Sequence, residues 1–175
     1  MKKYLDIKGR NVIDQRGMLL GDVEDSILDS RTNRLCSLIV SGGGLFSSTS
    51  ILPLSSVVKL GNTIIYGGSA FRCRKKKLLM NRIVTVNEII GKHIINLEGE
   101  NEGRLADLII DEHTGDILAL ICSRGVVEDM VGGRRLVLMR ENTTLINHRI
   151  LVYKSDIKPL KGMSINRYID QLQRK

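Results

Sequence analysis

The sequence predicts an all-β fold: two tandem small β-barrels followed by a short C-terminal helix. Three observations carry that expectation. The chain of 175 residues repeats itself, with LGDVEDSILDSRTNRLCSLIVS at 20–41 returning as EGRLADLIIDEHTGDILALICS at 102–123, a constant offset of 82. A self-similar period of this kind marks a duplicated structural unit. Apolar residues come in short stretches broken by turn signals, the pattern of short strands in a barrel or sandwich. Aromatic residues are only 3% and tryptophan is absent against 42% hydrophobic residues, so the core rests on Ile, Leu and Val, which suit strands.

Taken in order, the first unit offers strands at Asn11–Ile13, Gly21–Leu28, Leu35–Ser41, Ser50–Pro53 and Thr63–Tyr66. The turn Asp29-Ser-Arg-Thr-Asn33 becomes Asp111-Glu-His-Thr-Gly115 in the second unit. Asn and Gly tolerate positive φ there, and Asp caps its own turn. Val23 with Ile27, and Leu105 with Ile109, share strand parity and are expected on one face. After Ser41 and Ser123 the loops differ, GGGLFSSTS against RGVVEDMVGGRR, and the match resumes at an offset of 86 with Ile51 and Val137. A strand scaffold tolerates such a length change in a loop. Thr85-Val-Asn-Glu88 has capping-box spacing and predicts a helical turn. Ser164 followed by Ile165, Tyr168, Ile169 and Leu172 has the spacing of one apolar helical stripe. The expected organisation is a first barrel over 1–68, a basic linker over 69–84, a second barrel over 85–155 and a tail with the helix over 156–175.

Net charge is +8 and is unevenly spread: +2 over 1–66, +6 over 67–86, −4 over 87–153 and +4 over 154–175. Basicity therefore lies in the linker and tail, which disfavours a nucleic-acid surface on the barrels themselves. Three cysteines without a C-x-x-C pair suit a reduced, cytoplasmic setting. No apolar run reaches the ~18 residues of a membrane span.

The ordered pieces resemble the PRC-barrel family. In the first unit they are Gly9, Gly17, Gly21-Asp-Val-Glu-Asp25-Ser-Ile-Leu-Asp29, Leu35–Val40, Gly42–Gly44, Ile51-Leu-Pro-Leu54 and Ile64–Tyr66; in the second, Gly91, Gly99, Gly103–Asp111, Ile117–Cys122 and Ile150–Val152. The second copy lacks the proline near Val137-Leu-Met139 and has Asn147 where the first has Gly61. Members of this family include the cytoplasmic domain of the photosynthetic reaction centre H subunit and the C-terminal domain of a ribosome maturation factor, and others are tied to sporulation. The resemblance implies a small β-barrel that docks or adapts, and it brings no catalytic motif.

The best chemical candidates are the paired carboxylates Asp25/Asp29 and Asp107/Asp111. Residues four apart in a strand stand about 13 Å apart, too far for one metal ion. Asp29 and Asp111 begin turns, an ordinary backbone role. Asp25 and Asp107 share parity with apolar residues, so either a β-bulge turns them outward or backbone N–H groups satisfy them inside. His93, His113 and His148 have no metal-ligand spacing, and Gly42-Gly-Gly44 lacks the Lys-Ser/Thr of a phosphate loop. No catalytic, cofactor or metal residue is expected, and no small-molecule substrate.

Two surface sets remain. Leu45 and Phe46 in the first loop, and Val126, Val127, Met130 and Val131 in the second, are apolar residues in glycine-bounded loops. They serve either as protein-interaction surfaces or as packing between the barrels. Arg72, Arg74, Lys75, Lys76, Lys77 and Arg82 form a basic run suited to an anionic partner, either RNA phosphate or an anionic membrane. With Phe71 alone to stack on bases, sequence-specific RNA reading is disfavoured. The sequence thus points to a non-enzymatic adaptor that binds a protein partner or self-associates. The alternative is an RNA- or ribosome-associated factor held by the linker and tail, and membrane-surface contact is the least favoured.

Overall fold

A computed structural model describes residues 1–42, 49–69, 71–73, 84–139, 143–146 and 149–160, with 71–73, 144–146 and 149 described by backbone alone. The strands of the first unit are β1 (Lys2–Lys3), β2 (Asn11–Asp14), β3 (Leu19–Asp29), β4 (Arg34–Ser41), β5 (Thr49–Pro53), β6 (Val57–Leu60), β7 (Ile64–Tyr66) and β8 (Phe71–Cys73). The second has β9 (Val84–Thr85), helix α1 (Val86–Ile89), β10 (His93–Asn96), β11 (Asn101–Ile110), β12 (Ile117–Ser123), helix α2 (Val126–Gly132), β13 (Arg135–Leu138), β14 (Thr144–Ile146), β15 (Arg149–Val152) and β16 (Ile157–Pro159). The chain is all-β apart from short helices, as its pattern predicts.

Two curled sheets have the same order, β6-β7-β2-β3-β4-β5-β8 and β14-β15-β10-β11-β12-β13-β16. In each, the first and last strands of the shared motif pair in parallel, β2 with β7 and β10 with β15. The repeated glycines explain why both copies turn alike. Gly21 and Gly103 take φ +138° and +129°, and a Cβ on Gly21 would lie 2.0 Å from the Ser41 carbonyl oxygen. Only glycine accepts that approach at that φ.

β-bulges between Val23 and Asp25, and between Leu105 and Asp107, shift strand parity. The expectation that Val23 and Ile27, or Leu105 and Ile109, share a face therefore fails. Past the bulge it is Leu28, and Leu108 with Ile110, that join Val23 and Leu105 in the main core. Ile109 packs instead with Ala119, Ile121, Leu136 and Leu160 in a second cluster.

The expected domain boundaries need adjusting in two places. Phe71–Cys73, set in the linker by sequence, pairs with β5, and Ile157–Pro159, set in the tail, pairs with β13. Each repeat thus ends one short strand later than its apolar pattern suggests, and Asp156 is buried just before β16. The predicted capping box is present at α1, where the Thr85 N–H donates to the Glu88 carboxylate at 3.0 Å. The predicted C-terminal helix at 164–172 lies outside the described residues.

The two units do not fold side by side as separate beads; they exchange their entering segments. β1 of the first repeat pairs with β11 of the second, Lys2 opposite Ile110 and Lys3 opposite Ile109. β9 of the second repeat pairs with β3 of the first, Val84 opposite Leu28 and Thr85 opposite Ile27. Subtracting 82 turns one set of partners into the other, so the exchange obeys an internal two-fold. The hairpin tips obey it too. Leu35 N–H donates to Gly115 carbonyl at 2.8 Å, and Ile117 N–H to Asn33 carbonyl at 2.9 Å. Asn33 and Gly115 both have positive φ, 52° and 79°, which shapes the tips for this meeting. Arg34 crosses the junction to Asp116 at 2.8 Å. One continuous core results, running from Tyr4 and Leu38 through Val86 and Ile89 to Leu105 and Leu120. A unit of about 65 residues buries too little surface to be robust alone, and the exchange merges two small cores into one.

Candidate functional site

Asp25 and Asp107 occupy equivalent places just past the bulges. The bulge does not turn them outward: their residues are only 8% and 3% exposed. Asp25 Oδ1 accepts from the Ser26 N–H at 2.8 Å, the Asn87 N–H at 3.1 Å and the Tyr4 hydroxyl at 3.1 Å. Asp107 Oδ1 accepts from the Leu108 N–H at 2.8 Å and the Leu5 N–H at 3.1 Å. Leu5 and Asn87 are themselves 82 apart, so each carboxylate fastens the segment arriving from the other repeat. Burial raises the Asp107 carboxyl above its ordinary value, against the pull of the Leu108 and Leu5 N–H groups. Burial also pushes the Tyr4 phenol well up, helped by the charge of Asp25.

Asp29 and Asp111 hold the exposed hairpin turns. Asp29 accepts from the Arg31 N–H at 2.9 Å; Asp111 accepts from the His113 N–H at 2.8 Å and the Thr114 N–H at 3.1 Å. Those bonds, Arg31 first for Asp29 and Thr114 first for Asp111, hold both carboxyls below their ordinary values. Each of the four aspartates thus accepts backbone N–H bonds through its Oδ1. Asp25 lies in the buried junction and Asp29 at a hairpin tip, so the two do not converge on a reacting centre.

Among the described residues no three His, Cys, Asp or Glu side chains are placed to hold a metal ion. His93 Nδ1 lies 3.0 Å from the Asn101 amide, and His113 is exposed in its turn. Burial pushes the Cys122 thiol up to about 11, which leaves it inert. Among the described residues, the second repeat carries a polar network that the first lacks. Buried Glu102 pairs with Arg135 and accepts from Asn96 at 2.8 Å, while Glu100 binds Asn96 and Lys154, both at 2.9 Å. Leu20 and Ser50 stand at the places of Glu102 and Arg135 in the first repeat.

The most exposed large apolar side chains of the described residues are on α2. Val126, Val127, Met130 and Val131 are 78%, 75%, 81% and 78% exposed. The sequence placed them in a loop, but they ride a short helix. Gly125 at φ +120° opens it, and Gly133 at φ +74° closes it by donating its N–H to the Asp129 carbonyl. Asp129 sets the helix's orientation. Its carboxylate accepts from the Ser123 hydroxyl at 2.6 Å and the Arg124 N–H at 3.0 Å, and pairs with Arg134 at 3.5 Å. Burial would raise this carboxyl, but those partners outweigh it and hold it below its ordinary value. With the polar residue turned in, the positions i, i+1, i+4 and i+5 face out as one apolar stripe.

This stripe lies far from the junction. β12 leaves the hairpin tip at Ile117 and runs seven residues, about 23 Å, before α2 begins. Packing between the two repeats is therefore not what these four residues do. Leu45 and Phe46 lie outside the described residues, as do Arg74, Lys75, Lys76, Lys77 and Arg82; Arg72 is described by backbone alone, in β8. The sequence reading missed Tyr4, Leu5 and Asn87, which act through burial and backbone. The one signal for them was the 82-residue offset between Leu5 and Asn87. No helix among the described residues is long and apolar enough to cross a membrane.

The family model described as PRC-barrel domain matches residues 1–66 and again 82–155. No curated protein matches the chain.

Proposed function

Because the chain belongs to the PRC-barrel family and carries its domain twice, we propose that it is a non-enzymatic adaptor that docks a protein partner through α2. PRC-barrel domains are protein-interaction and ribosome-maturation-type modules, generally without catalysis. The observation that carries the reading is the four-residue apolar stripe of α2, held outward by the bonds of Asp129. Apolar side chains clustered at this exposure mark an interaction site; the other exposed large apolar residues among those described, Met18, Val58 and Leu97 included, reach no more than 62%. The carboxylates support the same reading from the other side, since Asp25 and Asp107 fasten the entering segments and Asp29 and Asp111 their own hairpin turns.

Affinity purification from the native cell tests this, with and without nuclease, using the wild-type chain and the Val127→Asp/Met130→Asp variant. The adaptor reading expects protein partners that survive nuclease and are lost with the double variant. Partners retained by the variant count against α2.

A second reading rests on the +6 charge of residues 67–86: an RNA- or ribosome-associated factor held through phosphate contacts. It expects binding that falls steeply with salt and disappears when Lys75, Lys76 and Lys77 all become Glu. Binding indifferent to salt removes it.

A further inference from the structure

We infer that α2 is a self-association surface, through which two copies of the chain pair their α2 helices antiparallel about a two-fold axis. This rests on the reading of α2 as a docking pole and names its partner. Charge favours a second copy. Among the described residues the rim of the stripe carries Arg124 and Glu128, with Arg134 paired to the inward Asp129, a net of zero. Anionic membranes and nucleic acids select a basic excess, and this rim has none. It carries its own complement instead. Arg124 opens the segment and Glu128 stands one turn further, 3.9 Å away in the single chain. Reversing one helix against another across a two-fold brings Arg124 of each copy beside Glu128 of the other. A surface that is its own complement is what an isologous contact requires.

Area sets the strength of the contact. Four side chains about four-fifths exposed present on the order of 400 Å² of apolar surface, roughly half of the ~800 Å² per partner of a standard stable interface. Such a contact supports a reversible dimer rather than an obligate one. Placement leaves the surface open to a second copy. α2 lies at the end of the second unit away from the hairpin-tip junction, so a second copy meets it without disturbing the clasp between the repeats.

Sedimentation equilibrium on the full chain from about 10 µM to 1 mM tests the inference. Expected is a concentration-dependent monomer–dimer equilibrium whose dissociation constant rises at least about tenfold in Val127→Asp/Met130→Asp, since the dimer would then bury unpaired carboxylates. Arg124→Glu alone weakens the dimer, and Arg124→Glu with Glu128→Arg restores it, because the exchanged pair is again complementary. A chain that stays monomeric to 1 mM overturns the inference. So does a dimer indifferent to the Asp substitutions, or one that the double charge exchange fails to restore. These outcomes are separate from the adaptor reading. A monomeric chain that still captures a foreign protein through Val127 and Met130 keeps the docking pole and removes self-pairing.

Discussion

Asp107 is the residue at which the exchange between repeats can be taken apart most cleanly. Replacing it by Ala leaves the N–H groups of Leu108 and Leu5 without their acceptor, bonds of 2.8 and 3.1 Å in the native chain. A buried N–H left without a partner costs about 1–3 kcal/mol. Leu108 is fully buried and carries the full penalty, while Leu5 is half-exposed and recovers part of it from water. A loss of about 2–4 kcal/mol follows, set against the relief of no longer burying a carboxylate. Asp107→Asn behaves differently, since it keeps an acceptor oxygen in place and removes the ionisable group. Because burial raises the folded-state carboxyl above its unfolded value, the group's stabilising effect is full below the unfolded pKa and is lost as pH rises through the folded one. Asp107→Asn is therefore expected within about 1 kcal/mol of wild type at pH 7, and relatively better at pH 7 than at pH 4. Equilibrium urea denaturation of the three proteins at both pH values measures this. An Ala variant as stable as wild type, or an Asn variant as damaged as Ala, refutes the clasp.

Gly115→Ala places a Cβ 2.5 Å from the Leu35 carbonyl oxygen across the junction, at φ +79°; a loss of at least about 2 kcal/mol is expected in the same assay. Asn33→Gly, at the related place in the other hairpin, changes stability by no more than about 1 kcal/mol. Val127→Asp/Met130→Asp is expected to leave the free energy of urea unfolding within about 0.5 kcal/mol of wild type, because exposed side chains contribute little to folding. Lys75→Glu, Lys76→Glu and Lys77→Glu together are expected to abolish retention on a heparin column while capture of a protein partner through α2 persists.

Much of the fold was legible because glycines and aspartates set it locally. Gly21 and Gly103, and the Asp29 and Asp111 turns, announce their conformations in their residue types. The bulge was not legible from parity alone, since one inserted residue reverses every later face, as Ile27 and Leu28 show. The exchange of entering segments was hidden for a different reason. Lys2-Lys3 and Val84-Thr85 are two-residue strands, and their backbone groups pair equally well with either repeat's long strand. Only the joint core, with Tyr4 beside Asp25, decides between them. At α2 the four residues were found, but their helix was not, because seven residues between glycines fall below the length at which helical spacing stands out. Once Asp129 is seen to turn inward, the i, i+1, i+4, i+5 spacing of the valines and Met130 reads as a face.

The most direct measurement of the docking role is a photo-cross-link from the stripe itself. With p-benzoylphenylalanine in place of Val127, irradiation in the native cell and mass spectrometry of the adduct identify what covers α2. A protein adduct is expected, either a second copy of the chain or a distinct partner, that is absent when the same group replaces the exposed Met18. An adduct to lipid or RNA alone, or none above the Met18 control, contradicts it.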